Sequence, residues 1–187
     1  MKKPDTAGLV QVYTGNGKGK TTCALGVGLR AVGHGLRVIM ICFMKSKVAS
    51  RSGDTDVNYG EFRSIEKLPR FVILPVGRET FVDKKNPDPI DVQMAQDGLR
   101  IAQDTLKTHS CDVLILDEIN VAVEWNLISL KDQLGLIRMK PKDVEIIMTG
   151  RYARQELIDA ADLVTEMREV KHYYTTKKIA ARRGFEF

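Results

Sequence analysis

Thr14-Gly15-Asn16-Gly17-Lys18-Gly19-Lys20-Thr21-Thr22 is the stretch that decides the fold of this 187-residue chain, because of what flanks it. An apolar run, Leu9 to Tyr13, leads in, and a window that is almost wholly apolar apart from Arg30, Thr21 to Val32, leads out. A glycine-rich turn set between a strand and a helix is the context of a phosphate-binding loop. Gly15, Gly17 and Gly19 let backbone N–H groups converge on phosphate oxygens, and the helix that follows presents its positive end to them. Asn16, Lys18 and Thr22 complete the cradle; Lys20 supplies a point charge, and the Thr21 hydroxyl suits the coordination shell of magnesium. Thr14 stands where the common G-x-x-x-x-G-K-[ST] spacing has its first glycine, so the loop departs from the usual pattern.

Outward from the loop, strand-like runs alternate with helix-like windows, the pattern of a parallel sheet covered by helices on both faces. Strands are expected at Leu9–Tyr13, Leu36–Phe43, Phe71–Leu74, Val113–Asp117, Val144–Thr149 and Leu163–Glu166. Several are apolar throughout, as burial on both faces requires. Thr21–Val32 is expected to lie deep against the sheet. In Pro89–Thr108, Ala95, Leu99, Ala102 and Leu106 share one helix face. Ser129, with Asp132 three residues on, caps a helix to about Met139, and Arg154–Ala161 reads as a short helix. Lys45–Tyr59 and Val76–Asp88 follow strands and read as substrate loops at the carboxyl edge of the sheet. The expectation is one α/β domain over residues 1–187, with about six parallel strands, like the P-loop NTPases, and a basic tail at 171–187.

Val113-Leu114-Ile115-Leu116-Asp117-Glu118 is the second chemical element, an apolar strand that delivers two carboxylates to the edge where the loop lies. Either carboxylate can hold Mg2+ directly or through water, and the sequence leaves open which one does. No Ser/His/Asp or Cys/His set with a local signature accompanies them. The loop and carboxylates therefore supply a nucleotide and a metal but no protein nucleophile.

Composition narrows the classes further. With 43% hydrophobic and 28% charged residues the chain is a globular protein, neither disordered nor fibrous. The longest apolar run, Val38–Met44, has seven residues, against the ~20 of a membrane helix, and no apolar signal core follows Met1, so a cytoplasmic protein without membrane contact is expected. Cys23, Cys42 and Cys111 show no C-x-x-C spacing and read as reduced, buried thiols; His34, His109 and His172 form no metal-binding pair. The net charge is +5, and most of it sits between Lys171 and Phe187, where five basic residues face the single acid Glu186. A basic tail beside a phosphate loop admits a nucleic-acid-stimulated ATPase of recombinase type, but charge is its main support, since only 6% of residues are aromatic and no RNA-binding signature is present. A small-molecule kinase also fits the two nucleotide motifs.

The loop, together with Leu29-Arg30-Ala31-Val32-Gly33-His34-Gly35, Phe43-Met44-Lys45, Leu116-Asp117-Glu118, Thr149-Gly150-Arg151 and Ala161-Asp162-Leu163-Val164-Thr165-Glu166-Met167-Arg168-Glu169-Val170-Lys171-His172, resembles the ATP:corrinoid adenosyltransferases of the cobinamide/cobalamin type. The resemblance is collinear over most of the chain and includes the Thr14 departure. It implies a homodimeric enzyme that moves the 5′-deoxyadenosyl group of ATP to reduced cobalt in a corrinoid, releases tripolyphosphate, and receives its electron from a reductase. Cobalt(I) would then be the nucleophile, and the nucleotide would lie in the loop in reverse direction. Nucleic acid has no part in this reaction. The motifs and the resemblance together make Lys20, Thr21 and Glu118 the candidates for catalysis, Thr21, Asp117 and Glu118 those for metal binding, and residues 15–22, Arg30, Arg151 and Phe81 those for nucleotide or corrinoid contacts. It is poorest at Gly77-Arg78-Glu79-Thr80-Phe81-Val82, where family members commonly carry Gly-x-Gly-Phe-Thr-Trp. Phe81 is the aromatic expected to face the corrinoid; Trp125, the only tryptophan, is the alternative and reads first as core.

Overall fold

The computed structural model describes residues 7–46 and 59–186. Six strands, β1 (Val10–Thr14), β2 (Val38–Phe43), β3 (Phe71–Val76), β4 (Val113–Asp117), β5 (Glu145–Thr149) and β6 (Leu163–Glu166), form one sheet in the order β3-β2-β4-β5-β1-β6. Every neighbouring pair is parallel. All carboxyl ends therefore face one edge, and β1 stands between β5 and β6 there.

Successive residues of a strand point to opposite faces, so the central strands feed two separate cores. Leu114, Leu116, Ile146 and Met148 pack on one face with Leu99 and Leu106 of α3 (Pro89–Lys107) and Leu136. Ile115 and Ile147 pack on the other with Met40, Phe71 and Ala24 of α1 (Lys20–Gly33). The α3 stripe read from the sequence is the buried face, and Asp88 caps the helix by accepting from the Ile90 N–H, with Pro89 opening its first turn. The helix from Ser129 is also present, with the Ser129 side chain accepting from the Asp132 N–H.

Three features differ from expectation. The apolar α1 window is not wholly buried: Ala24, Gly28 and Ala31 form the contact face, while Leu29 is 55% exposed. Small residues set this close approach, and a Cβ at Gly28 would stand 2.7 Å from the Phe71 ring. β6 is exposed along its whole length because it is an edge strand, unlike the buried central strands. Finally, the short helices α2 (Gly60–Ile65), α4 (Ile119–Glu124) and α7 (Tyr173–Lys177) were not foreseen. The α4 sequence, Ile-Asn-Val-Ala-Val-Glu, is rich in β-branched residues and reads as strand by propensity; tertiary packing overrides this weak prior.

The two remaining helices in chain order are α5 (Leu130–Met139) and α6 (Gln155–Ala160). Val76–Asp88 is irregular beyond β3, as expected, whereas most of the Lys45–Tyr59 loop lies outside the described residues. Cys42 and Cys111 are buried and Cys23 half-buried, all as free thiols. Among the described residues no helix is long and apolar enough to cross a membrane.

Candidate functional site

The loop leaves β1 at Thr14 and enters α1 at Lys20, with Gly15 at φ 93° and Gly19 at φ 107°, values that favour glycine. The segment after β6 clamps it from behind: the Met167 N–H donates to Thr14 O at 2.8 Å, and the Gly17 N–H donates to Met167 O at 2.6 Å. A Cβ on Gly15 or Gly17 would lie 2.5 or 2.7 Å from that same Met167 oxygen. These glycines thus admit a neighbouring chain as well as a ligand. Lys20 is only 7% exposed and folds back over the loop, its Nζ donating to Gly15 O at 2.8 Å and Gly17 O at 2.7 Å. Burial lowers the pKa of its ammonium below the ordinary lysine value, against the pull of Glu118.

Asp117 ends β4 completely buried, with both oxygens engaged. Oδ1 accepts from Thr21 Oγ1 at 2.8 Å and from Thr149 Oγ1 at 2.7 Å, while Oδ2 accepts from Lys45 Nζ at 2.7 Å. Burial works to raise its pKa, but Lys45 and these hydrogen bonds outweigh it and hold the carboxyl below the usual range. Lys45 is correspondingly raised: burial opposes its charge and Asp117 overrides that. Asp117 therefore aligns the Thr21 hydroxyl. Glu118, at φ 62°, turns the chain into α4 and anchors its N–H on Thr149 Oγ1 at 3.0 Å. Its carboxylate lines the cavity with no hydrogen-bond partner among the described residues, and burial, then Asp117, raises its pKa.

A cavity of about 390 Å³ opens over the loop, lined by residues 17–22, Glu118, Val121, Trp125, Arg151, Tyr152, Phe185 and Glu186. Arg151 enters it from the turn after β5, its Nη2 donating to Asn16 O at 3.4 Å. The structure thus brings together Gly17, Lys18, Gly19, Lys20, Thr21, Thr22, Glu118 and Arg151, with Gly15, Asn16 and Asp117 directly behind them. It does not bring Arg30 there. Arg30 lies ten residues beyond Lys20, about 15 Å along the helix, and lines a different cavity of about 450 Å³ at the amino ends of the strands, with His34, Asp112 and Glu145.

Phe81 is also outside the loop cavity. It is 80% exposed on the segment after β3, the far edge strand, where Arg78 fixes the chain by a fork of 2.7 and 2.6 Å onto Asp91. Trp125, expected first as core, packs against the core and lines the cavity as well. Sequence reasoning missed Lys45, Thr149 and the Met167 clamp as supports of the site, although each lies in a stretch on which the family resemblance rests. It also read the tail as basic and missed that its one acid, Glu186, is what reaches the cavity.

The fold and loop define a nucleotide-binding α/β protein of the P-loop type. Residues 6–187 match the family described as ATP:corrinoid adenosyltransferase BtuR/CobO/CobP. A corrinoid adenosyltransferase of Pseudomonas aeruginosa is 32% identical over 98% of this chain and 85% of its own length. One of Escherichia coli is 32% identical over 91% and 81%. The flagellar accessory protein FlaH of Methanocaldococcus jannaschii shares the fold at a TM-score of 0.54 and 12% identity, covering 86% of this chain and 71% of FlaH. The chain belongs to the ATP:corrinoid adenosyltransferase family and is an adenosyltransferase. These comparisons do not favour the recombinase-type ATPase.

Proposed function

We propose that this protein transfers the 5′-deoxyadenosyl group of ATP to the cobalt(I) of a corrinoid and releases tripolyphosphate, as a homodimeric cytoplasmic enzyme in which residues 1–187 act as one domain and a separate reductase supplies the electron. The observation that carries the reading is the cavity itself. Lys18, Lys20, Thr21 and Arg151 gather over the phosphate loop, while Val121 and Trp125 offer an apolar wall beside them.

In this reaction cobalt(I) donates an electron pair to C5′ of the ribose, a cobalt–carbon bond forms, and the C5′–O bond breaks with its pair leaving on the triphosphate. The cobalt becomes formally cobalt(III). Negative charge grows on the bridging oxygen and spreads along the leaving group, and donors fixed before the reaction act on charge as it develops. Lys20 needs only to exchange its two carbonyl partners for phosphate oxygens to serve in this way. The loop amides and Arg151 add to the same field. No side chain need act as nucleophile.

Magnesium fits the donor set. Mg2+ is commonly held by one or two carboxylates together with substrate phosphates and water, and Glu118, whose carboxylate has no hydrogen-bond partner among the described residues, lines the same cavity as Thr21. Glu118 and Thr21 would hold the ion, with Asp117 orienting Thr21; bound there, it would neutralise triphosphate charge. The corrinoid would meet Trp125 from the cavity wall and Phe81 from the loop after β3; Arg30 has no part in this proposal.

The test is anaerobic incubation with ATP, magnesium and chemically reduced cobalamin, followed by phosphate analysis. Tripolyphosphate is expected in a one-to-one ratio with adenosylated corrinoid. ADP as the main product would reject the mechanism.

A further inference from the structure

The C-terminal segment, together with Lys18 of the phosphate loop, carries an anion-binding constellation. The Glu186 side chain is 8% exposed and sits on the cavity wall. Around its carboxylate converge the Tyr173 hydroxyl, the Arg182 N–H at 2.7 Å, Arg182 Nε and Nη2 at 3.3 and 3.4 Å, and Lys18 Nζ at 3.7 Å. The Arg182 guanidinium lies over both the Tyr173 and Phe185 rings, at 4.9 and 4.7 Å from their centroids. An ammonium, a guanidinium, a backbone amide and a phenol are the donors that recognise phosphate oxygens. Lys18 belongs to the phosphate loop itself. An internal carboxylate therefore occupies a phosphate-type site at the rim of a nucleotide cavity.

Strand order says which phosphate would reach it. α4, with Val121 and Trp125, follows β4, the tail follows β6, and the loop follows β1 between them. A triphosphate lying over the loop with its nucleoside on the apolar α4 side points its terminal phosphate at the tail.

We propose that Glu186 stands in for the terminal phosphate of a nucleoside triphosphate, and that Lys18, Arg182 and Tyr173 read that phosphate once it displaces the carboxylate. Lys18 and Arg182 then exchange one anion for another, and the Phe185–Glu186 wall moves aside. This makes the tail a discriminator between triphosphate and diphosphate. The inference rests on the nucleotide-binding reading but not on the identity of the acceptor.

Calorimetric titration with Mg-ATP, Mg-ADP and inorganic tripolyphosphate tests it on the full chain. Glu186→Gln keeps the shape of the side chain and removes its competing charge, so ATP and tripolyphosphate should bind about fivefold more tightly, with ADP changed less. Arg182→Gln and the milder Tyr173→Phe should weaken ATP and tripolyphosphate, the former by about tenfold, and leave ADP near its wild-type value. If Glu186 only ties down the tail, Glu186→Gln will weaken ATP binding or leave the ATP-to-ADP ratio unchanged, and either result overturns the proposal. A wild-type chain that binds none of the three probes overturns it differently, by removing the nucleotide reading beneath it.

Discussion

Replacing Asp117 by Asn isolates the ion pair beneath the site. Oδ1 holds both threonine hydroxyls and Oδ2 holds only Lys45. An Asn with its oxygen toward Thr21 and Thr149 keeps those two bonds but sets an NH2 group 2.7 Å from the place of the Lys45 ammonium, donor against donor. Breaking a buried pair in this way costs ~3–5 kcal/mol; the lower end applies because the Lys45 side chain is 16% exposed and its ammonium can reach water. A loss of ~3 kcal/mol lowers Tm by about 10 °C in a chain of this size. Lys45→Met should cost more, because it strands the fully buried Asp117 charge. The double variant should recover about 2 kcal/mol relative to the sum of the singles. Guanidinium unfolding followed by circular dichroism at pH 7 measures all three. Because the folded pKa of Asp117 is depressed, its stabilisation is present above the unfolded value of ~3.9 and fades as pH falls through the folded value. Asp117→Asn should abolish that acid-side dependence. Additive singles, or an Asp117→Asn cost under ~1 kcal/mol, would refute the assignment of the pair as a buried, coupled unit.

Lys20→Ala should cut the adenosylation rate about a hundredfold, the usual loss for one preorganised donor, while circular dichroism stays unchanged; near-normal turnover would remove Lys20 from the reaction. Glu118→Gln should slow transfer and raise the magnesium requirement, yet stabilise the fold at pH 7, seen as a rise in Tm. The sign follows from its raised pKa: the folded state holds the proton longer, so stability falls as pH rises from the unfolded toward the folded value and stays lower above it. Gly17→Ala forces a Cβ to within 2.7 Å of Met167 O and should cost ~1–3 kcal/mol in unfolding measurements. An unchanged Gly17→Ala stability would mean that the clamp yields freely.

What the sequence made legible were features governed by local rules. The glycine-rich loop, the apolar strands and the Ser129 cap each follow from a few adjacent residues, and strand boundaries agree within two residues, Val144 opening one residue before β5 and Leu36 two before β2. What stayed hidden depends on chain crossings. Lys45 is remote from Asp117 in sequence, and only the pairing of β2 with β4, which aligns Cys42 with Asp117, makes them partners. Arg30 lies away from the loop cavity for the complementary reason. Its place beside the loop in sequence is real, but ten residues of helix carry it to the opposite edge of the sheet.

The site's binding groups share one feature that the loop motif alone does not express. Lys20 holds two loop carbonyls, Lys18 and Arg182 hold Glu186, and Lys45 holds Asp117, so the main cations are each satisfied inside the protein. A cation left unpaired in a half-buried cleft would carry a desolvation cost, and these partners offset it. The partners nevertheless differ in strength. Carbonyls and a carboxylate at 3.7 Å are weaker acceptors than a triphosphate, whereas the Lys45–Asp117 contact at 2.7 Å is as close as charge-assisted bonds become. On the proposed function, Lys18, Lys20 and Arg182 would change partners when the triphosphate arrives, and Lys45 would stay. That difference separates the groups proposed to bind the nucleotide from the Lys45–Asp117 pair beneath them.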